Sequence, residues 1–160
     1  MKEYTYPLFF KFLYRYANIP LTVLLIILLV PLVINLDNNL LLLIPLVITL
    51  LMIYFLNKFY ITLYKIVPFK IYSTDDQLIC KNFLFSHRLE DIAFGEIESL
   101  KGGIFEGSVN GLMRVNSKNN LSIGFYHSIN KSKELETLIL SKVNRNIYDE
   151  IVKKIGPVEK

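Results

Sequence analysis

IPLTVLLIILLVPLVINL (residues 19–36), DNN (37–39) and LLLLIPLVITLLMIYFL (40–56) form one continuous stretch in which Asp37 is the sole charged residue. The first run, 18 residues long, spans roughly 27 Å at about 1.5 Å per residue, close to the hydrocarbon thickness of a bilayer. The second, 17 residues long, extends through Asn57 and Lys58 into Phe59 and Tyr60. A helix that buries one face in a soluble core carries polar residues on the opposite face at 3.6 spacing, and neither run does. The pattern predicts two transmembrane helices, about 19–36 and 40–58, joined by a tight turn as a helical hairpin. A cleaved signal sequence is the poorer reading. Its apolar region is about 7 to 15 residues long and ends at small residues, whereas this run ends in Ile34-Asn35-Leu36-Asp37 and a second run follows at once.

The flanks of this stretch repeat one chemistry. Residues 1–18 interleave Tyr4, Tyr6, Phe9, Phe10, Phe12, Tyr14 and Tyr16 with Lys2, Lys11 and Arg15, and the second run is followed by Lys58, Phe59, Tyr60, Tyr64 and Lys65. Amphipathic rings at headgroup level and cations that snorkel suit membrane-interface anchors, here Lys11, Tyr14, Arg15, Tyr16, Lys58, Phe59 and Tyr60. Both basic flanks lie on one side of the hairpin and the turn carries no Lys or Arg. The positive-inside rule therefore predicts a multi-pass protein of the inner (plasma) membrane with both ends cytoplasmic.

Charge and composition exclude several classes. The formal net charge is +4. Residues 1–65 hold five Lys/Arg against Glu3 and Asp37, whereas residues 66–160 hold thirteen against twelve Asp/Glu. The excess lies beside the apolar runs, so it reads as a topology signal and not as a nucleic-acid footprint. Cys80 is the only cysteine, which rules out an intramolecular disulfide. Pro31 and Pro45 lie within the runs as packing kinks. Outside the turn, Thr22, Asn35 and Thr49 are the polar side chains between Leu21 and Met52. With no ionisable residue there, an ion path has nothing to build on.

From Ile66 the pattern changes to period two. Short β-type runs over 70–73, 77–82, 85–92, 96–100, 111–116 and 121–127 are separated by turn signals at Thr74-Asp75-Asp76 and at Ser117-Lys118-Asn119-Asn120. Two amphipathic helices follow, one capped by Ser132 and one by Asn146, the second with an apolar stripe of Ile147, Tyr148, Ile151, Val152 and Ile155. The expected fold class is α+β: a membrane portion over 1–65, then a small antiparallel β sandwich or open barrel with C-terminal helices over 66–160.

The segments IYSTDDQLICKN, HRLEDIAFGEIESLKGG, GLMRVNSKNNLSIGFYHSI and KSKELETLILSKV resemble, in that order, the pleckstrin-homology-like (PH-like) domains of small bacterial membrane proteins. The resemblance covers about residues 68–143, and two transmembrane helices ahead of such a domain are common in that group. It implies a binding module. The helix over 146–155 goes beyond the simplest version of the domain.

Residues that carry chemistry form no catalytic set. His87 and His127 lack a Cys, His or Asp at metal-ligand spacing. Cys80 sits in an apolar strand and reads as an inert thiol. Glu90 with Asp91, and Glu96 with Glu98, read as solvated turn carboxylates. Gly102, Gly103, Gly107 and Gly111 have no P-loop lysine, since Ser108 and Val109 follow Gly107. The chain reads as no enzyme, with no cofactor or metal. The expected activity is protein association at the cytoplasmic membrane face, with a partner protein or a second copy, and with the bilayer as the other partner. A specific lipid headgroup is not expected, nor is nucleic acid. The alternative is a protective, immunity-type membrane protein whose hairpin contacts the target.

Overall fold

The computed structural model describes residues 1–37, 39–83, 89–108 and 111–155. Among these the fold is α+β, with five α-helices and two antiparallel sheets. The chain divides into two units: Met1–Lys11 together with Lys65–Lys160, and Phe12–Tyr64.

The first unit opens with a strand, β1 (Lys2–Thr5), where the sequence reading placed an interfacial segment. The reason is a period of two hidden among the aromatics. Tyr4 and Tyr6 share one face and are buried, while Glu3 before them is exposed and Thr5 between them is half-buried. β1 pairs with β2 (Lys70–Ser73), setting Tyr4 opposite Ile71. β2 pairs with β3 (Gln77–Lys81), and β3 with β4 (Glu90–Ala93), where Leu78 faces Ile92. The second sheet is β5 (Ile97–Lys101), β6 (Leu112–Ser117) and β7 (Ser122–Tyr126), with Val115 opposite Ile123 and an irregularity between Ile97 and Ser99. The β domain therefore does not begin at residue 66. It takes its first strand from before the apolar stretch.

Alternation decides which side chains enter the core. Ile71, Leu78, Cys80 and Ile92 of the first sheet are buried, as are Leu100, Met113, Val115, Ile123 and Phe125 of the second. Both hairpin turns fall where predicted. Thr74 closes the first through bonds with Gln77, its amide to Gln77 O at 3.0 Å and its hydroxyl accepting from Gln77 N at 3.2 Å. The second is closed by Ser117 N to Leu121 O at 2.8 Å, with Asn120 left-handed at φ 58°, a conformation that Asn tolerates. The run expected over 85–92 is a strand only from Glu90, and Phe85, His87 and Arg88 lie outside the described residues.

Two helices complete this unit, α4 (Ser132–Lys142) and α5 (Arg145–Ile155). Leu135 and Ile139 of α4 are fully buried. Both caps differ from expectation. Lys131, left-handed at φ 59°, holds the cap position of α4, and Ser132 is its first helical residue. α5 starts ahead of Asn146, with the Asn144 carbonyl accepting from the Ile147 and Tyr148 amides at 3.0 and 3.1 Å. Of the apolar stripe of α5, Ile151 alone is buried, while Tyr148, Val152 and Ile155 are exposed.

In the second unit, α1 (Leu8–Tyr16) leads into α2 (Asn18–Ile34), with a 44° bend at the break. Asn39 caps a 3-10 turn over Leu40–Leu42 by accepting from the Leu41 amide at 3.0 Å. α3 (Leu43–Ile66) follows and runs beyond the expected end near residue 58. FYITLYKI continues the helix because no breaker occurs before Pro68. The helical stretch Leu40–Ile66, 27 residues, is long and apolar enough to cross a membrane, and none of its apolar window is buried. Leu8–Tyr16 and Asn18–Ile34 meet the same test only when taken together.

Candidate membrane-interface site

The residues expected as interface anchors fall on two helices. Lys11, Tyr14, Arg15 and Tyr16 are on α1, and Lys58, Phe59 and Tyr60 are on α3. Some of them meet. The Tyr60 hydroxyl lies 3.4 Å from the Leu13 carbonyl, and the Tyr60 and Tyr64 rings make an edge contact at 5.9 Å. The Arg15 guanidinium lies 5.6 Å from the Tyr16 ring centre. Lys58 instead sits 5.5 Å from the Tyr54 ring of its own helix, and Phe59, exposed, stacks its edge on Tyr60 at 5.8 Å. Lys11 is placed by the hydrogen bond that its backbone N–H donates to the Pro7 carbonyl at 2.9 Å.

Beneath these rings lies a polar network. Asn57 of α3 donates to Thr22 Oγ1 at 3.0 Å and to the Ile53 carbonyl at 2.9 Å, and accepts from Asn18 Nδ2 at 3.3 Å. Asn18 Oδ1 accepts from the Tyr64 hydroxyl at 2.7 Å, and that hydroxyl is also 2.9 Å from the Arg15 carbonyl. Amides and hydroxyls in an apolar surrounding need partners, and here α2 and α3 supply them to each other. Thr49 turns inward on its own helix, donating to the Pro45 carbonyl at 2.8 Å. Asn35 donates to the carbonyl of Pro31 at 2.8 Å. Asn18, Asn57 and Tyr64 were not singled out as a set from sequence. The available signal was each amide's position within or beside an apolar run, where it needs a partner.

The other residues with chemical potential are dispersed, with one exception. Cys80 is fully buried, and burial together with the Glu90 and Asp91 carboxylates pushes its thiol far above the ordinary range. Glu90 points inward and Asp91 outward. Glu96 serves the second hairpin, its carboxylate accepting from Asn119 Nδ2 at 3.3 Å and its carbonyl from Lys118 N at 3.0 Å. The glycines belong to backbone packing. A Cβ at Gly102 would lie 2.3 Å from the Leu112 carbonyl oxygen, and one at Gly103 would lie 2.4 Å from Met113 Cγ. The exception is His127, the last residue of the run expected as a strand over 121–127. It lies just past β7, with Nδ1 3.0 Å from the Glu136 carboxylate and 3.2 Å from the Ser132 hydroxyl. Both partners share one ring nitrogen, so this is a structural clasp and not a nucleophile-base-acid relay, in which the two ring nitrogens serve different partners.

Two shallow hollows, about 470 and 440 Å³, lie on β5 and β6 and share Lys101 and Asn116. Their floor is a polar ladder: Asn116 donates to Ser99 Oγ at 3.0 Å and accepts from Ser122 Oγ at 2.8 Å. Glu98 and Glu106 line them alongside Lys101 and Arg114. No group of three His, Cys, Asp or Glu positioned to hold a metal occurs among the described residues. Comparison of the chain with family models, with curated proteins and with solved structures returns no match.

Proposed function

We propose that this chain is a non-enzymatic, membrane-anchored PH-like module that acts in protein association, with self-association included, at the cytoplasmic face of the plasma membrane. One observation carries the reading: the apolar stretch is inserted between β1 and β2, two strands hydrogen-bonded to each other from Lys2–Ser73 to Thr5–Lys70. Strands paired in one sheet lie on one side of a bilayer, so the segment between them crosses an even number of times. The exposed apolar helix Leu40–Ile66 needs lipid cover. If it is one crossing, the segment around α2 is the other, and the pair is a transmembrane hairpin. The Asn18–Asn57–Thr22 network then acts as interhelical glue. The PH-like assignment draws on the strand plan, four strands and then three followed by α4. The aromatic and basic residues of α1 and α3 are the anchors of this arrangement, and the weight of Lys and Arg beside them sets its orientation.

The test uses the full chain in its native membrane. Alkaline extraction should leave it in the membrane fraction. Asp37→Cys should react with an impermeant thiol reagent from outside intact cells, and Lys118→Cys should react only after lysis. Extraction into the soluble fraction, or labelling of Lys118→Cys from outside, overturns the reading.

A further inference from the structure

α1 and α2 are apolar in different ways, and the change falls at the 44° break between them. α1 is apolar on one side. Leu8, Phe9, Phe12, Leu13 and Tyr16 are exposed, and at about 100° per residue they fall within an arc of about 140°. Phe10 and Tyr14, on the other side, are half-buried. Lys11 lies beside them, and Arg15 stands at the rim of the arc. α2 has no such division. It holds no charged residue, its exposed Leu21, Val23, Leu24 and Ile26 project over more than half of its circumference, and the remaining side carries Leu25, Leu29 and Leu32. A helix apolar on one side suits the plane of a membrane interface, and a helix apolar all round suits a crossing. The 17 residues of α2 span about 26 Å, close to the hydrocarbon thickness, so α1 is not needed to complete a crossing.

We infer that α1 is an in-plane membrane helix: it lies in the interface with Leu8, Phe9, Phe12, Leu13 and Tyr16 sunk into the boundary between headgroups and acyl chains, and the first crossing begins only at α2. The inference rests on the membrane-anchored reading and names lipid as the partner of this face. Lipid is the cover because the face runs on, across the break, into the exposed apolar surface of α2, which itself needs lipid. The depth follows from α3. Its Tyr60 and Tyr64 hydroxyls lie 3.4 and 2.9 Å from the Leu13 and Arg15 carbonyls, and tyrosines at the end of a span place their hydroxyls at headgroup level. The last turn of α1 is therefore held at that level, where Arg15 at the rim reaches the headgroups by snorkelling.

The test is spin-label depth measurement on the full chain in vesicles of phosphatidylcholine and phosphatidylglycerol, from the relative collision rates with oxygen and with a water-soluble nickel chelate. The parent chain, whose single thiol Cys80 is buried, should take up no label. Phe9→Cys and Tyr16→Cys are informative as a pair, because residues seven apart share one side of a helix. Their labels should both favour oxygen and sit at equal depth, whereas an upright helix would set the second about 10 Å deeper than the first. Lys11→Cys should favour the chelate, and Leu24→Cys on α2 should be deeper than all three. Overturning results are a Phe9-to-Tyr16 difference near the upright value, labels on the arc that favour the chelate, labels there that neither reagent reaches, or a Leu24→Cys label no deeper than the arc. Alkaline extraction of the same vesicles separates the two failures. A retained chain with any of these results refutes the in-plane helix alone, and a released chain refutes the anchored reading together with it.

Discussion

The phenol oxygen of Tyr6 accepts a hydrogen bond from the backbone N–H of Tyr126 at 2.8 Å, across 120 residues of chain. One residue earlier, the Thr5 carbonyl accepts from Asn130 N at 2.9 Å. The end of β1 is thus fastened to the end of β7, and the first few residues of the chain hold the first sheet to the second. Tyr6→Phe removes the acceptor of this half-buried N–H, so it should destabilise the β domain by about 0.5–1.5 kcal/mol. Tyr4→Ala, at a fully buried position, should cost about 3–5 kcal/mol. Residues 66–160 expressed alone should be less stable than residues 1–11 joined by a short linker to 65–160, by chemical denaturation followed with circular dichroism. Equal midpoints would mean that β1 contributes nothing.

The His127–Glu136 clasp should be read by a double-mutant cycle. Glu136 is 3% exposed and lies against His127 at 3.0 Å. Removing one partner of a buried polar pair costs more than removing both. His127→Ala alone should therefore lose about 1–3 kcal/mol, and His127→Ala with Glu136→Leu should recover much of it. Denaturation midpoints of the joined 1–11/65–160 chain measure both, and strictly additive losses would show that the two side chains do not interact.

Most of the β unit was legible because burial on a sheet face imposes a period of two, and the runs at 70–73 and 77–82 carry it with turn signals between them. β1 was missed for a physical reason. Its alternation of Tyr4 and Tyr6 sits inside a run of aromatics and cations that also suits a membrane interface, and nothing local reveals a partner 69 residues away at Tyr72, which Glu3 faces in the sheet and whose hydroxyl it accepts. The His127 clasp was invisible for a similar reason, because it depends on how α4 lies across the end of β7. The exposed stripe of α5 misled in the opposite direction. Periodicity reports an amphipathic helix but not whether its apolar side meets its own chain.

The Lys2–Glu134 ion pair gives the attachment of β1 a pH dependence. The Lys2 ammonium donates to the Glu134 carboxylate, which raises the lysine and holds the carboxyl below its ordinary value. A depressed carboxyl stabilises the fold above its unfolded pKa, and that contribution is lost as pH falls through the folded value. A raised lysine stabilises the fold below its unfolded pKa, and that contribution is lost as pH rises through the folded value. Lys2→Met should therefore lower stability by a small, salt-sensitive amount that is constant through neutral pH, and the difference from the parent should vanish once the pH has fallen below the ordinary carboxyl range. Thermal unfolding across pH checks this, and a difference that persists in acid would assign the loss to packing of the lysine stem.

The last prediction concerns lipid headgroups. A PH-like plan suggests an anionic headgroup as ligand, which requires several free cations converging on one mouth. In the first unit the cations are dispersed, and four of them are engaged singly. Lys70 bonds Glu3 at 3.2 Å, Lys81 lies 5.4 Å over the Tyr72 ring, Lys2 is held by Glu134 and Lys154 by Glu150. Lys101 and Arg114 do face each other across β5 and β6, but Glu98 and Glu106 line the same hollows. A free cation near an anionic surface contributes about 1 kcal/mol, and acids interspersed at these distances cancel most of it. The insertion between β1 and β2 also supplies localisation without any headgroup. The joined 1–11/65–160 chain should therefore not float with vesicles of anionic lipid at moderate ionic strength, and Arg114→Glu should leave its distribution unchanged. Binding that is strong on anionic vesicles, absent on neutral ones, weakened by salt and lost in Arg114→Glu would identify the β5–β6 face as a headgroup site.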